Sequence, residues 1–349
     1  MRPLFHPQLV NDPFGDPALY VDCLFEGRAL LFDLGDLRAL PPRKLLRISH
    51  VFVSHAHMDH FMGFDWLLRV CLGRDRAMHL FGPPGFLDQV EHKLAAYTWN
   101  LVHNYETDFT LHVTEIEPGR GARRACFRCR NAFRREEEAS FPATDVLVAK
   151  PLFRVRSTLL DHRTPCLAFA LEEQAHVNVW KNRLKETGLA PGPWLRLAKQ
   201  AMLEAKPDDT PIEALTQEGK KRMVTLGMLR GDVVHRGPGQ KIVYVTDAVY
   251  HEENARRIIA LAQGADLLFI ETPFLDELAE RARKRCHLTA WQAGTLARAA
   301  GVNQVVSFHY SPIYRGQEAR LREELAAAFR GETTLAATAK SGGLLPPLP

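Results

Sequence analysis

The stretch that most constrains this chain is short: Val51-Phe52-Val53-Ser54 runs directly into His55-Ala56-His57-Met58-Asp59-His60. Val51, Phe52 and Val53 are β-branched or aromatic, the signature of a buried strand. The six residues that follow then occupy the loop at the strand's C-terminal end, where α/β sheets keep their chemistry. Three imidazoles and a carboxylate on such a turn can point inward at two adjacent positions and hold two cations a few ångströms apart. Histidine nitrogen and carboxylate oxygen are the usual donors to zinc at catalytic sites. The competing reading is a solvated, histidine-rich loop, but with only 15 His in 349 residues such clustering in one turn argues against it.

The rest of the composition permits an enzyme of ordinary size. A 46% hydrophobic share supports a substantial core in one large or two smaller domains. No apolar run approaches the roughly 18 residues of a spanning helix, and Met1-Arg2-Pro3-Leu4-Phe5-His6-Pro7 lacks the apolar stretch of a signal peptide. A cytoplasmic protein with no membrane span is expected. Cys23, Cys71, Cys126, Cys129, Cys166 and Cys286 are scattered, as reduced thiols are, rather than spaced as a disulfide framework. Cys126-Phe127-Arg128-Cys129 is a lone C-x-x-C and reads as strand packing. The net charge of +4 announces no polyanion partner. Locally, however, Arg120, Arg123, Arg124, Arg128, Arg130, Arg134 and Arg135 precede Glu136, Glu137 and Glu138. That segment, 119–141, is either a solvated strand pair or a phosphate-facing patch.

Taken in order, residues 19–25 and 29–33 predict a hairpin, Pro41-Pro42 a short helix, 64–72 a helix leaving the histidine loop, and 86–99 a further helix. Strands are expected over 110–116, 125–133, 145–149, 153–160 and 166–171. Between 173 and 240 the character changes: turn formers recur, with 11 Lys or Arg against 8 Asp or Glu, so this reads as a projecting, partly helical insertion. Core pattern returns in strands 242–246, 267–270 and 304–308 and helices 255–262, 290–300 and 317–329. The expected organisation is a core in two halves, 1–172 and 241–340, an inserted arm at 173–240 and a loose tail at 341–349. Strands in both halves with helices between them fit two sheets face to face, covered outside by helices.

A two-ion centre needs more ligands, and each should sit at a strand end. His162, Asp247 and His309 do. At this point the chain resembles the metallo-β-lactamase superfamily and, within it, the ribonuclease Z family of transfer RNA 3′ endonucleases. The resemblance rests on His55 to His60, Asp161-His162-Arg163-Thr164-Pro165-Cys166-Leu167-Ala168-Phe169, Lys241-Ile242-Val243-Tyr244-Val245-Thr246-Asp247, Ile270-Glu271-Thr272-Pro273-Phe274, His287-Leu288-Thr289-Ala290 and His309-Tyr310-Ser311-Pro312-Ile313-Tyr314. Leu189-Ala190-Pro191-Gly192-Pro193-Trp194 looks like the glycine-proline motif of that family's RNA-binding arm.

The resemblance implies an α/β, four-layer αββα sandwich with an inserted projecting arm. It implies two Zn2+ per subunit, one on His55, His57 and His162, the other on Asp59, His60 and His309, with Asp247 bridging; Mn2+ or Fe2+ would accept the same donors. A water shared by the ions would attack phosphorus. Glu271 at a strand end and His287 before a helix can pair, so that His287 protonates the departing oxygen, and Asp59 is the family's usual proton acceptor. Pro191, Gly192, Pro193, Ser311 and Tyr314 are the implied substrate contacts, precursor transfer RNA the partner, and a homodimer the assembly. Met58 and Ile313 stand where the family more often has a small residue and an Arg. Two other functions therefore stay open: a phosphodiesterase for a small cyclic or nucleotide ester, and an RNA-binding homologue without turnover. The other nine His have no role in this reading.

Overall fold

Eight strands form one sheet in the order in which they follow along the chain: Phe5–Leu9, Leu19–Cys23, Arg28–Phe32, Ile48–Phe52, Arg76–Gly82, Phe109–Glu117, Gly121–Arg128 and Arg135–Phe141. The four strands from Arg28–Phe32 to Phe109–Glu117 are parallel and the flanking ones antiparallel. A second sheet runs Gln304–Phe308, Leu267–Glu271, Lys241–Val245, Pro165–Glu173, Phe153–Asp161, Val146–Ala149. This computed structural model describes residues 4–332 except 25, 118–120, 143, 175 and 238. Phe25, Arg120 and the tail expected at 341–349 therefore lie outside the described residues.

By their internal contacts the residues fall into two compact units, one holding Phe5–Leu147, Ser157–Ala170 and the chain from Ile242, the other Val148–Arg156 and Leu171–Lys241. In the larger unit, parallel strands buried on both faces read as continuous apolar runs, as in Leu267–Glu271 and Arg28–Phe32. Helices Phe64–Cys71 and Phe86–Ala95 bury Leu67, Leu68, Val90 and Leu94 on the first sheet. Helices Glu252–Ala262, Ala290–Ala299 and Glu318–Arg330 cover the second with Ile258, Leu296 and Leu321. Between the sheets lies an aromatic layer: Phe32 stacks on Phe52 at 5.1 Å, Phe52 meets Phe169 at 5.6 Å, and Tyr244 stacks on Phe308 at 5.2 Å. These are the four expected layers, αββα.

The smaller unit has a core of its own, built on Leu184, Leu189, Trp194, Ala198, Met202, Ile212, Val224 and Leu229. Helices Lys181–Glu186, Trp194–Leu203 and Leu226–Asp232 pack with the hairpin Pro211–Leu215 and Lys221–Thr225. It also holds an antiparallel ribbon of His176–Val179 with Val234–Gly237, and Glu173 N donates to Gln240 O at 2.8 Å. Trp194 is buried and donates Nε1–H to Ala190 O at 3.0 Å. A Cβ on Gly192 would come 3.0 Å from that indole, so Pro191-Gly192-Pro193 is shaped around a tryptophan anchor.

Three of the elements that differ from the sequence expectation show why. Arg76–Gly82 carries Arg, His and Gly, which hide a strand from a propensity reading, and Phe5–Leu9 contains Pro7, which only an edge strand tolerates. The strand expected to reach residue 133 stops at Arg128, because Ala132 and Phe133 adopt left-handed φ of 51° and 50°, turning Phe133 onto Trp99 at 4.8 Å. In the arginine-rich segment, Arg123, Arg128 and Arg135 are engaged in ion pairs on the paired strands. Arg123 meets Glu115 and Glu117 at 3.4 and 3.6 Å, Arg128 meets Glu136 at 3.3 Å, and Arg135 meets Asp88, Glu91 and Glu137 at 2.7, 3.2 and 2.8 Å.

Candidate metal centre

Every predicted ligand sits where a strand runs out. Ile48–Phe52 ends just before Ser54-His55, and His57 starts the short helix Met58–Phe61 that carries Asp59 and His60. His162 follows Phe153–Asp161, Asp247 follows Lys241–Val245, and His309 follows Gln304–Phe308. The turns are pinned by main-chain bonds: Leu167 N donates to Ser54 O at 2.8 Å, Val249 N to Asp161 O at 3.0 Å, and Tyr310 N to Pro13 O at 2.7 Å. His309 itself has a φ of 59°, a left-handed conformation that costs a non-glycine residue of order 1–3 kcal/mol and is retained where surrounding structure dictates it. Gly63 lets the histidine loop close against the first sheet, since a Cβ there would lie 2.1 Å from Gly35 O.

The side chains converge. His55, His57, His162 and Asp247 can each offer a ligand atom with all four within 4.8 Å of one another, and so can Asp59, His60 and His309. Asp247 Oδ2 lies 3.6 Å from His55 Nε2, 3.6 Å from His60 Nε2 and 3.4 Å from His162 Nε2, while its Oδ1 is 3.0 Å from His309 Nδ1. Donors about 2.0–2.1 Å from a tetrahedral ion sit roughly 3.3–3.4 Å apart, so the spacing fits a metal. Three of these nitrogens, His55 Nε2, His60 Nε2 and His309 Nδ1, are buried with no hydrogen-bond partner. Such orphans are costly unless something else occupies their lone pairs.

The far nitrogens are committed, which fixes the near ones. His162 Nδ1 bonds Cys286 O at 2.8 Å, His60 Nδ1 bonds Asp33 Oδ2 at 2.9 Å, and His55 Nδ1 lies 3.1 Å from Ser54 Oγ. This is the arrangement that aims Nε2 of a metal-ligating histidine. Asp33 was not singled out from the sequence. Its buried carboxylate also accepts from Ser54 N at 2.6 Å, Ser54 Oγ at 2.9 Å and Tyr244 Oη at 2.8 Å. The available signal was an acidic residue ending the apolar run Leu30-Leu31-Phe32, the same pattern that marks Asp247.

The electrostatics ask for positive charge. Burial, reinforced by the charge on His60, pushes His55 down to about 2, and burial lowers His57 as well. Burial also opposes ionisation of Asp247, but His309 and His60 outweigh it and hold its carboxyl well below the usual range. His60 and His309 are raised in turn: burial resists, and Asp247 prevails. Protons on imidazole thus answer a demand that divalent cations would satisfy while leaving the nitrogens as ligands.

Beside this cluster Glu271, fully buried, accepts from Ala248 N at 2.9 Å and Leu288 N at 3.1 Å through Oε1, and its Oε2 meets His287 Nδ1 at 2.7 Å. Of the sequence-predicted substrate contacts, Ser311 is half-buried two residues after His309. Tyr314 is not available: it is 3% exposed in the core, and its hydroxyl accepts from Leu275 N at 3.2 Å. Pro191, Gly192 and Pro193 lie in the smaller unit.

Asp33→Ala is expected to lower the unfolding free energy by about 3 kcal/mol, the scale for truncating one member of a buried ionic group. Asp22→Ala, which removes a half-buried partner of Arg47 at 2.8 Å, is expected to cost less than about 1 kcal/mol. Urea titration of both measures the difference; equal losses would show that Asp33 does not hold its three partners.

A sequence model of the beta-lactamase superfamily domain matches residues 18–180 and 169–310. A ribonuclease Z of Deinococcus radiodurans is 33% identical over 92% of this chain and 93% of its own length, and one of Halorubrum lacusprofundi 28% identical over 91% and 88%. Among solved structures, the metallo-β-lactamase fold protein YhfI from Bacillus subtilis superposes with a TM-score of 0.53 at 16% identity, covering 94% of this chain and 95% of that one. Human tRNase Z, short form, gives 0.50 at 17% identity, covering 89% and 93%. With the fold shared at that distance, and a third of the residues shared with a relative along nearly the whole of both chains, the protein belongs to the ribonuclease Z family of the metallo-β-lactamase superfamily.

Proposed function

We propose that the chain is a zinc-dependent endoribonuclease that hydrolyses a phosphodiester at the 3′ side of precursor transfer RNA. The observation that carries this reading is the fan of His55, His60 and His162 Nε2 atoms around one oxygen of Asp247, at ligand-to-ligand spacing and with two of them otherwise orphaned. The name borne by its relatives supplies the substrate. His55, His57 and His162 would hold one ion and Asp59, His60 and His309 a second, with Asp247 between them. Nitrogen and oxygen donors without sulfur suit zinc and would also take Mn2+ or Fe2+. Two such ions supply a water acidic enough to attack phosphorus near neutral pH, and they neutralise the phosphoryl oxygens. Asp59 Oδ2, 3.3 Å from His309 Nε2 and 3.4 Å from His60 Nε2, would accept the attacking water's proton. His287, held by Glu271, would return one to the leaving oxygen.

The smaller unit would grip the folded RNA by backbone and shape. Arg183 lying 4.2 Å over the exposed Trp180 ring supports that role. Met58, Met62, Trp66 and Tyr97, all exposed on or beside helices near the histidine loop, give a second copy an apolar face to cover, which supports a homodimer. Six buried free cysteines suit a reducing cytoplasm. Among the described residues no helix is long and apolar enough to cross a membrane.

The test is cleavage of a labelled precursor transfer RNA, with and without chelator, by the intact chain and by one lacking residues 176–236. The bond from Glu173 to Gln240 means a short turn can close the gap. The intact chain should cut at the 3′ side, lose activity with chelator and regain it with zinc. The shortened chain should lose RNA cleavage on the order of a hundredfold while hydrolysing bis(p-nitrophenyl) phosphate within about twofold of normal, because phosphate contacts dominate RNA affinity. Equal loss on both substrates would remove the arm from RNA binding. Hydrolysis of the ester with no RNA cleavage by the intact chain would favour a small-ester phosphodiesterase.

A further inference from the structure

The first sheet carries a row of polar, metal-capable side chains that the catalytic reading leaves unused. His50, His79 and His112 stand in register on three neighbouring parallel strands, their rings stacked at 5.0 and 5.1 Å with interplanar angles of 24° and 18°. Across the next, antiparallel ladder His112 lies directly opposite Cys126. Glu138, on the last strand, brings its Oε1 to 3.0 Å from His112 Nδ1. An imidazole nitrogen, the Cys126 sulfur and a Glu138 oxygen all lie within 4.8 Å of one another.

The three donors differ in depth in a way that makes a site. Cys126 is 2% exposed, while the His112 and Glu138 side chains are 26% and 32% exposed. The thiol forms the floor, and imidazole and carboxylate form a rim open to water. Cys129 is not part of it, because it packs in the core on the first sheet's helix-covered side. The stack of His79 on His112 holds the imidazole plane. His50 precedes His55 by five residues, so at about 3.3 Å per residue and about 4.8 Å per strand His112 is roughly 15–20 Å from His55, too far to share an ion.

We infer that His112, Cys126 and Glu138 bind a divalent transition ion of borderline softness, zinc foremost, at a site separate from the His55 to His309 centre. A mixed sulfur, nitrogen and oxygen donor set with one open position is what such an ion accepts and what Mg2+ or Ca2+ does not. Binding replaces the thiol proton with the metal, releasing that proton to solvent. The ion ties together strands Phe109–Glu117, Gly121–Arg128 and Arg135–Phe141, the free end of the sheet. Arg124, whose Nε lies 3.8 Å from Glu138 Oε2, competes for the carboxylate and makes this the weaker site.

Cobalt tests it, because a thiolate ligand gives Co2+ a near-ultraviolet charge-transfer band that nitrogen and oxygen ligands do not. The intact chain titrated with Co2+ should develop that band. It should persist in Cys166→Ser, which removes the thiol 3.8 Å from His55 Nδ1. It should vanish in Cys126→Ser and weaken in His112→Gln, with one fewer ion bound per chain in Cys126→Ser and hydrolysis of bis(p-nitrophenyl) phosphate unchanged. The serine swap is nearly isosteric, and the half-buried His112 offers a second variant should the first fold poorly. No band in the intact chain, a band that survives Cys126→Ser, or one lost with Cys166→Ser would overturn the assignment.

Discussion

Asp247→Ala is expected to lower kcat for any phosphodiester by at least about a thousandfold and to strip at least one metal ion per chain, because one carboxylate serves both halves of the centre. Its Oδ2 faces His55, His60 and His162, and its Oδ1 faces His309. That single Oδ2 reaches both the His55, His57, His162 set and the Asp59, His60, His309 set. Without it, two bound cations would lose the carboxylate that offsets their mutual repulsion, so the second would bind more weakly. Asp247→Asn keeps the shape and one acceptor oxygen but loses the charge, and should fall between the wild type and the alanine variant in metal content. His162→Ala removes a ligand from one set only and should release one ion while the other stays. Metal analysis alongside turnover of bis(p-nitrophenyl) phosphate separates the three. If Asp247→Ala kept its full metal content and more than a tenth of the wild-type rate, the two-ion reading of the site would be wrong.

That cluster was legible in the sequence because most of its candidate ligands follow apolar runs. Val243-Tyr244-Val245-Thr246 before Asp247 and Val305-Val306-Ser307-Phe308 before His309 are local signals, and strand ends are where a sheet leaves side chains free to converge. Asp33 carries the same signal but closes a hairpin strand well before the histidine loop, so a search for donors passes it over. What the sequence hid was pairing at a distance. The positive run of 120–135 is visible residue by residue, whereas Glu115, Asp88 and Glu91, which take up Arg123 and Arg135, come from a neighbouring strand and a helix. Tyr314 failed for a related reason. The family resemblance implies a place near substrate, but Pro312–Tyr314 is a 3-10 turn that swings the ring into the core. The row of His50, His79 and His112 is likewise invisible until three strands, dozens of residues apart, fall into register.

The second large effect concerns the leaving group. His287→Ala is expected to slow RNA cleavage by about two to four orders of magnitude while changing hydrolysis of bis(p-nitrophenyl) phosphate less than about fivefold. A ribose 3′ oxygen leaves poorly without a proton, whereas nitrophenolate leaves well without one, so only the first reaction needs an acid. The geometry suits His287 to that work: Nδ1 is committed to Glu271 Oε2 at 2.7 Å, and Glu271 is itself fixed by Ala248 N and Leu288 N, which would leave Nε2 to carry the proton. Burial works against a charged His287, but the Glu271 carboxylate outweighs it and raises the imidazole above its ordinary 6.5. The acid form therefore persists below that raised value and is lost as pH climbs through it. Glu271→Gln removes the charge that raises it, so the alkaline limb of the RNA cleavage profile should move to lower pH, with the nitrophenyl reaction again little altered. Should both substrates suffer equally in His287→Ala, the residue would be a support for His309, 5.5 Å away between ring centres, and the proton for the departing oxygen would have to come from elsewhere.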